Sequence, residues 1–126
     1  MLKLAFAFAA VSGMISVILG AFAAHGLRGT LEERLAHAFE TGVTYQMTHS
    51  LALLAVCAMI EIWGRHWALV GAVWSFVLGI LLFSGSLYLL AVTGMKWLGP
   101  VTPLGGLAFI VGWALVTIGI WQNTTL

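Results

Sequence analysis

The sequence predicts an all-α integral membrane protein: four transmembrane helices in a compact bundle, with a short amphipathic interfacial helix between spans one and two. Three observations predict it. Of 126 residues, 62% are hydrophobic and only 7% are charged, whereas a soluble domain carries about 25% charged residues, so water-facing surface cannot be covered. Four apolar stretches, at about 4–24, 43–62, 68–92 and 104–121, each reach or approach the ~20 residues that an apolar layer ~30 Å thick requires. Finally, Lys3, Arg28, Glu32, Glu33, Arg34, Glu40, Glu61, Arg65 and Lys96 all lie between these stretches or at their edges. That segregation is expected when a charge near the bilayer centre costs ~2.5–3.5 kcal/mol.

A single four-span membrane domain then occupies residues 1–126, which leaves no room for a nucleotide-binding domain or a soluble catalytic head. The net charge of +1 supplies no field to recruit nucleic acid or another charged partner. Membrane lipids are the partners this composition implies.

Span one carries Lys3, then an apolar run from Leu4 to Leu19, then Ala21-Phe22-Ala23, which imitates a signal-peptide cleavage site. The run exceeds a typical signal core, so the segment is expected to be retained as a span. In the first loop, Thr30-Leu31-Glu32-Glu33 has the form of a capping box with Thr30 as N-cap and Glu33 at N3. Leu31, Leu35 and Phe39 recur every fourth residue, with Glu32, Glu33, His37 and Glu40 on the other side. The interfacial helix is therefore expected at about 31–41, continuing or bending near Gly42 into span two. Glu33, His37 and Glu40 could present three ligands to a cation, although such faces are usually solvated.

Span two carries Cys57, read as a small buried hydrophobe, and ends at Glu61, read as an interfacial carboxylate beside Trp63 and Arg65. Trp63, Trp67, Trp97 and Trp121 mark the membrane borders, while Trp74 and Trp113 lie deeper and are expected between helices. In the third loop, Thr102 is placed to cap span four and Pro103 to occupy its first turn. Lys3 and Arg65 fall on one side of the membrane and Arg28, Arg34 and Lys96 on the other, which gives no orientation bias.

Apolar burial does not drive helix association in lipid, so small residues and polar contacts must. Gly71, Ser75 and Gly79 form one stripe, and Gly105, Gly112 and Gly119 another. These stripes suit packing within the bundle, and also a homo-oligomer or a membrane-protein partner. The hydroxyls of Ser84 and Ser86 could line a pore, but the simpler expectation is that they bond back onto their own helix.

The candidate functional residues are His25 at the end of span one and Tyr45, Gln46 and His49 in the first turns of span two. Tyr45 and His49 share a helix face, and His49 lies roughly 9 Å along the helix from Val43. Buried polar groups need partners. The cluster is open to three readings: a haem or copper site using His25 and His49, a proton-handling imidazole pair, or a hydrogen-bonded clasp between spans one and two. The clasp is the simplest. No catalytic, cofactor or metal role is assigned, since no nucleophile, phosphate-binding or dinucleotide motif is present.

Three stretches together resemble a known family: Gly20-Ala21-Phe22-Ala23-Ala24-His25-Gly26-Leu27, the run from Thr41 through Tyr45-Gln46-Met47-Thr48-His49 to Leu54, and Phe83-Ser84-Gly85-Ser86-Leu87-Tyr88 followed by Gly99-Pro100-Val101-Thr102-Pro103. The chain is similar to the small multi-pass membrane proteins of unknown function typified by YgdD and YwdK, with transmembrane protein 256 as a more distant relative. The resemblance implies a bacterial cytoplasmic (inner) membrane location and assigns no activity. Ala23 stands where relatives often have glycine, and Thr48 where an aromatic is common. The functional expectation is a non-enzymatic membrane-stabilising or partner-binding component. A small oligomeric transporter or channel for protons or a small solute is the alternative, and haem or copper binding through His25 and His49 a further one.

Overall fold

The computed structural model of the chain describes residues 1–27 and 29–124. Helix α1 runs Leu2–Phe22 and ends in a π turn, Ala23–Leu27; α2 runs Glu33–Trp63. The third span is α3, Trp67–Gly79, a π turn at Ile80–Ser84, and α4, Gly85–Thr93. A 3-10 turn at Lys96–Leu98 precedes α5, Val101–Asn123. Four continuous segments, Leu2–Leu27, Glu33–Trp63, Trp67–Thr93 and Lys96–Asn123, are long and apolar enough to cross a membrane.

The links between spans are short because glycines turn them. Gly64 follows α2 at φ 87 and Gly94 ends α4 in the left-handed conformation at φ 69, a region that disfavours residues with a Cβ. The α3 start is capped by His66, whose Nδ1 accepts from the Ala68 backbone N–H at 3.3 Å.

Helix α2 packs against the third span, α1 packs mainly on α2, and α5 mainly on α3 and the π turn. Leu53, Val56, Cys57, Leu69 and Phe76 fill the centre. Cys57 is buried there as a plain hydrophobe.

Several local expectations are corrected. The interfacial segment takes the first of its two expected courses and continues into span two: residues 33–63 form one unbroken helix, whose first turns keep Glu33, His37 and Glu40 exposed while Phe39 is buried. Gly42 marks a close approach and not a bend, since a Cβ there would lie 2.8 Å from the Tyr88 ring. The capping box does not form. Thr30 instead donates to the carbonyls of Gly26 and Leu27 at 3.1 and 3.0 Å, closing the end of span one, and α2 begins at Glu33 without a side-chain cap. Arg28, placed in the same loop, lies outside the described residues.

Span four starts earlier than Leu104, with Val101 as its first residue. Pro103 still falls in the first turn, where a missing N–H breaks no helical bond, but Thr102 bonds Ser86 (Oγ–Oγ1 2.6 Å) and caps nothing. Trp74 does not pack between helices; it is 56% exposed and faces outward. Trp113 is also half outside, with its indole N–H turned inward.

Candidate functional site

Most of the buried polar side chains inside the spans are joined across helices. Gln46 is buried on α2, and its Nε2 donates to the Ser12 carbonyl at 3.0 Å and to Ser12 Oγ at 3.2 Å on α1. Its Oε1 accepts from the Tyr88 hydroxyl on α4 at 2.5 Å. One glutamine side chain thus links three helices and uses both ends of its amide. Next to it, Ser50 Oγ donates to the Gln46 carbonyl at 2.6 Å and lies 2.7 Å from Ser12 Oγ.

Ser84 and Ser86 extend the set. The π turn widens the third span at Ile80–Ser84, and Ser84 there donates to the Gly42 carbonyl on α2 at 2.7 Å. The expectation that it bonds back onto its own helix is therefore wrong for Ser84. Ser86 does bond back, to Phe83 O at 2.9 Å, while also meeting Thr102 on α5.

His49 occupies a second, aromatic compartment. Its Nδ1 lies 2.8 Å from the Tyr45 carbonyl, which can only accept, so Nδ1 carries the proton. Its Nε2 then offers a lone pair, which accepts from the Trp113 indole N–H of α5 at 3.1 Å. The imidazole stacks on Phe109 at 3.6 Å between ring centroids and meets Phe76 edge-on. Both ring nitrogens are occupied. A second proton on Nε2 would set donor against donor, and a metal there would have to displace Trp113.

Of the four residues singled out in the sequence, Gln46 and His49 are buried and bonded across helices. Tyr45 is 43% exposed, stacking beside His49 and Phe83 and contributing its carbonyl but no side-chain hydrogen bond among the described residues. His25 does not join them. Ser12 pairs with Gln46 and Gly20 faces Val43 across the antiparallel α1–α2 seam, which puts His25 roughly 18 Å along the helix axis from the level of His49. It sits exposed in the π turn. The two histidines therefore do not share a ligand site in this arrangement. Glu33, His37 and Glu40 remain a solvated face, and among the described residues no three His, Cys, Asp or Glu side chains are grouped to hold a metal ion.

Sequence reasoning missed Ser12, Ser50, Tyr88 and Trp113 as members of the network. One signal was available: Ser12 and Ser16 sit four residues apart, on one helix face, in a span otherwise free of polar side chains.

The small-residue stripes have a different use. Gly79 receives the Phe109 ring, Gly112 the Phe76 ring, Gly119 the Leu69 side chain, and Gly105 the backbone of Phe83. All four glycines are buried in the contact of the third span with α5.

Comparison with known proteins places the chain. A family model described as protein of unknown function (DUF423) matches residues 19–106. UPF0382 membrane protein YwdK of Bacillus subtilis is 41% identical over 109 residues, covering 86% of this chain and 89% of that protein. UPF0382 inner membrane protein YgdD of Escherichia coli is 43% identical over 116 residues, 89% of this chain and 85% of that one. A UPF0382 membrane protein of Haemophilus influenzae is 42% identical over 117 residues, 93% of each. No solved structure matches. The chain thus belongs to the DUF423 (UPF0382) family of membrane proteins of unknown function, as an all-α, multi-pass protein of the bacterial inner membrane.

Proposed function

We propose that the chain is a non-enzymatic membrane component, a compact bundle that stabilises the bilayer or a partner complex. One observation carries this reading. Ser12, Gln46, His49, Ser50, Ser84 and Ser86 are bonded across helices, and no buried side-chain nitrogen or oxygen among the described residues lacks a partner. Groups held this way are already committed to partners within the protein, which a passing solute or a metal would have to displace. A homo-oligomer or partner contact built on this bundle would use its outward surfaces, because Gly79, Gly105, Gly112 and Gly119 are covered by the molecule itself.

The test is reconstitution of the purified chain into proteoliposomes, comparing proton flux with that of a His49→Ala variant, together with an absorption spectrum and elemental analysis. Background leakage in both, no Soret band and no stoichiometric metal are expected. Flux above background that His49→Ala abolishes would establish the transporter reading instead, and bound haem or copper would establish the carrier reading.

A further inference from the structure

At the junction of the α1 start and the α2 end lies a pocket of about 210 Å³, lined by Met1, Leu2, Ile60, Glu61, Gly64 and Arg65. Glu61 and Arg65 are both exposed there and oppositely charged, yet they do not pair: the ion pair among the described residues is Arg34 with Glu32. The contact recorded for the Arg65 guanidinium is the Met1 thioether at 3.8 Å, a weak acceptor that leaves the charge uncompensated. Trp63 and Trp67, both exposed and each two residues in sequence from Arg65, put it at headgroup level.

The pocket leads at Met1 into an apolar groove of about 230 Å³ between α1 and α3, walled by Leu4, Phe8, Val73, Trp74 and Val77. Past Phe8 a second, mostly apolar pocket extends to Ile15 and Leu81, with Ser12 and Gln46 also in its lining. From Met1 to Ile15 the helix rises about 21 Å, more than half of an apolar layer ~30 Å thick. A polar mouth that bears the Arg65 and Glu61 side chains and the Met1 α-ammonium therefore adjoins an apolar channel about 21 Å long, and the outward-facing Trp74 forms part of its wall.

We propose that this is a binding site for a zwitterionic phospholipid with a primary ammonium headgroup, of the phosphatidylethanolamine type. Its phosphodiester meets Arg65, whose planar fork suits phosphate oxygens; its ammonium donates to Glu61; and one acyl chain lies along α1. A headgroup bearing both charges on a short linker matches two side chains that are near each other without touching. Phosphatidylglycerol brings no ammonium of its own to Glu61, and the quaternary ammonium of phosphatidylcholine has no N–H to donate.

The experiment is native mass spectrometry of the full chain in detergent with an equimolar mixture of the three lipids carrying identical acyl chains. Retained phosphatidylethanolamine is expected to exceed each of the others roughly two- to fivefold, the scale of a partly solvated ion pair. Glu61→Gln removes the advantage over phosphatidylglycerol, and Arg65→Gln lowers retention of all three. Both side chains are exposed, and unchanged helical circular dichroism checks that each variant is folded. Excess free phosphoethanolamine leaves the bound lipid in place. Equal retention of the three lipids, a preference unchanged in Glu61→Gln, or displacement by free phosphoethanolamine would each overturn the proposal.

Discussion

The seam between α1 and α2 is held by hydrogen bonds from Ser12, Gln46 and Ser50, whereas the seam between the third span and α5 is held by glycines that admit Phe109, Phe76, Leu69 and the backbone at Phe83. Both solve the same problem, since lipid offers no hydrophobic drive to bring helices together. They fail differently. A membrane hydrogen bond contributes about 0.6 kcal/mol on average and about 1.7 at most, while forcing extra atoms into a close-packed contact costs roughly 1–3 kcal/mol, occasionally more. The glycine seam, which has almost no polar content, should therefore be the more sensitive of the two.

Gly105→Ala breaks the comparison hardest. Its new Cβ would meet the backbone nitrogen and Cα of Phe83, which cannot turn aside as a side chain can. A loss of about 3 kcal/mol is expected, read from denaturant-dependent unfolding in mixed micelles. Gly112→Ala meets the Phe76 ring at 2.5 Å, and a loss of about 1–3 kcal/mol follows. Gly79→Ala meets Phe109, so the double variant with Phe109→Leu should be less unstable than the two single losses summed.

On the polar side, Gln46→Leu removes the links to Ser12 and Tyr88 together and should cost about 1–2 kcal/mol. Trp113→Phe, which leaves His49 Nε2 without its donor, should cost about 0.6 kcal/mol. Trp74→Phe makes the smallest change: an outward-facing ring with no hydrogen bond among the described residues should leave stability within about 0.5 kcal/mol.

The same contrast explains what could be read from sequence. Spans were legible because hydropathy and the exclusion of charge act on every residue, so their number and approximate limits follow from composition along the chain. Gln46 and His49 stood out because a polar side chain that deep must find a partner. Which partner was not legible. Ser12 and Tyr88 lie 34 and 42 residues away in sequence from Gln46, and the choice among neighbours depends on helix rotation, which hydropathy does not specify when every face is apolar. His25 was misplaced for a related reason: the end of span one and the start of α2 are adjacent in sequence, but Glu33–Glu40 extends α2 beyond the membrane-buried turns and moves His49 away. The capping box failed because Thr30 has a nearer task in closing the preceding π turn.

The central claim is that polarity inside the spans serves to hold helices together. A double-mutant cycle of Gln46→Leu with Tyr88→Phe, measured by reversible unfolding in bicelles, tests it most directly. A favourable coupling of about 0.6–1.7 kcal/mol is the predicted result. A coupling indistinguishable from zero would contradict it, since Gln46 and Tyr88 would then contribute independently of the bond that joins them.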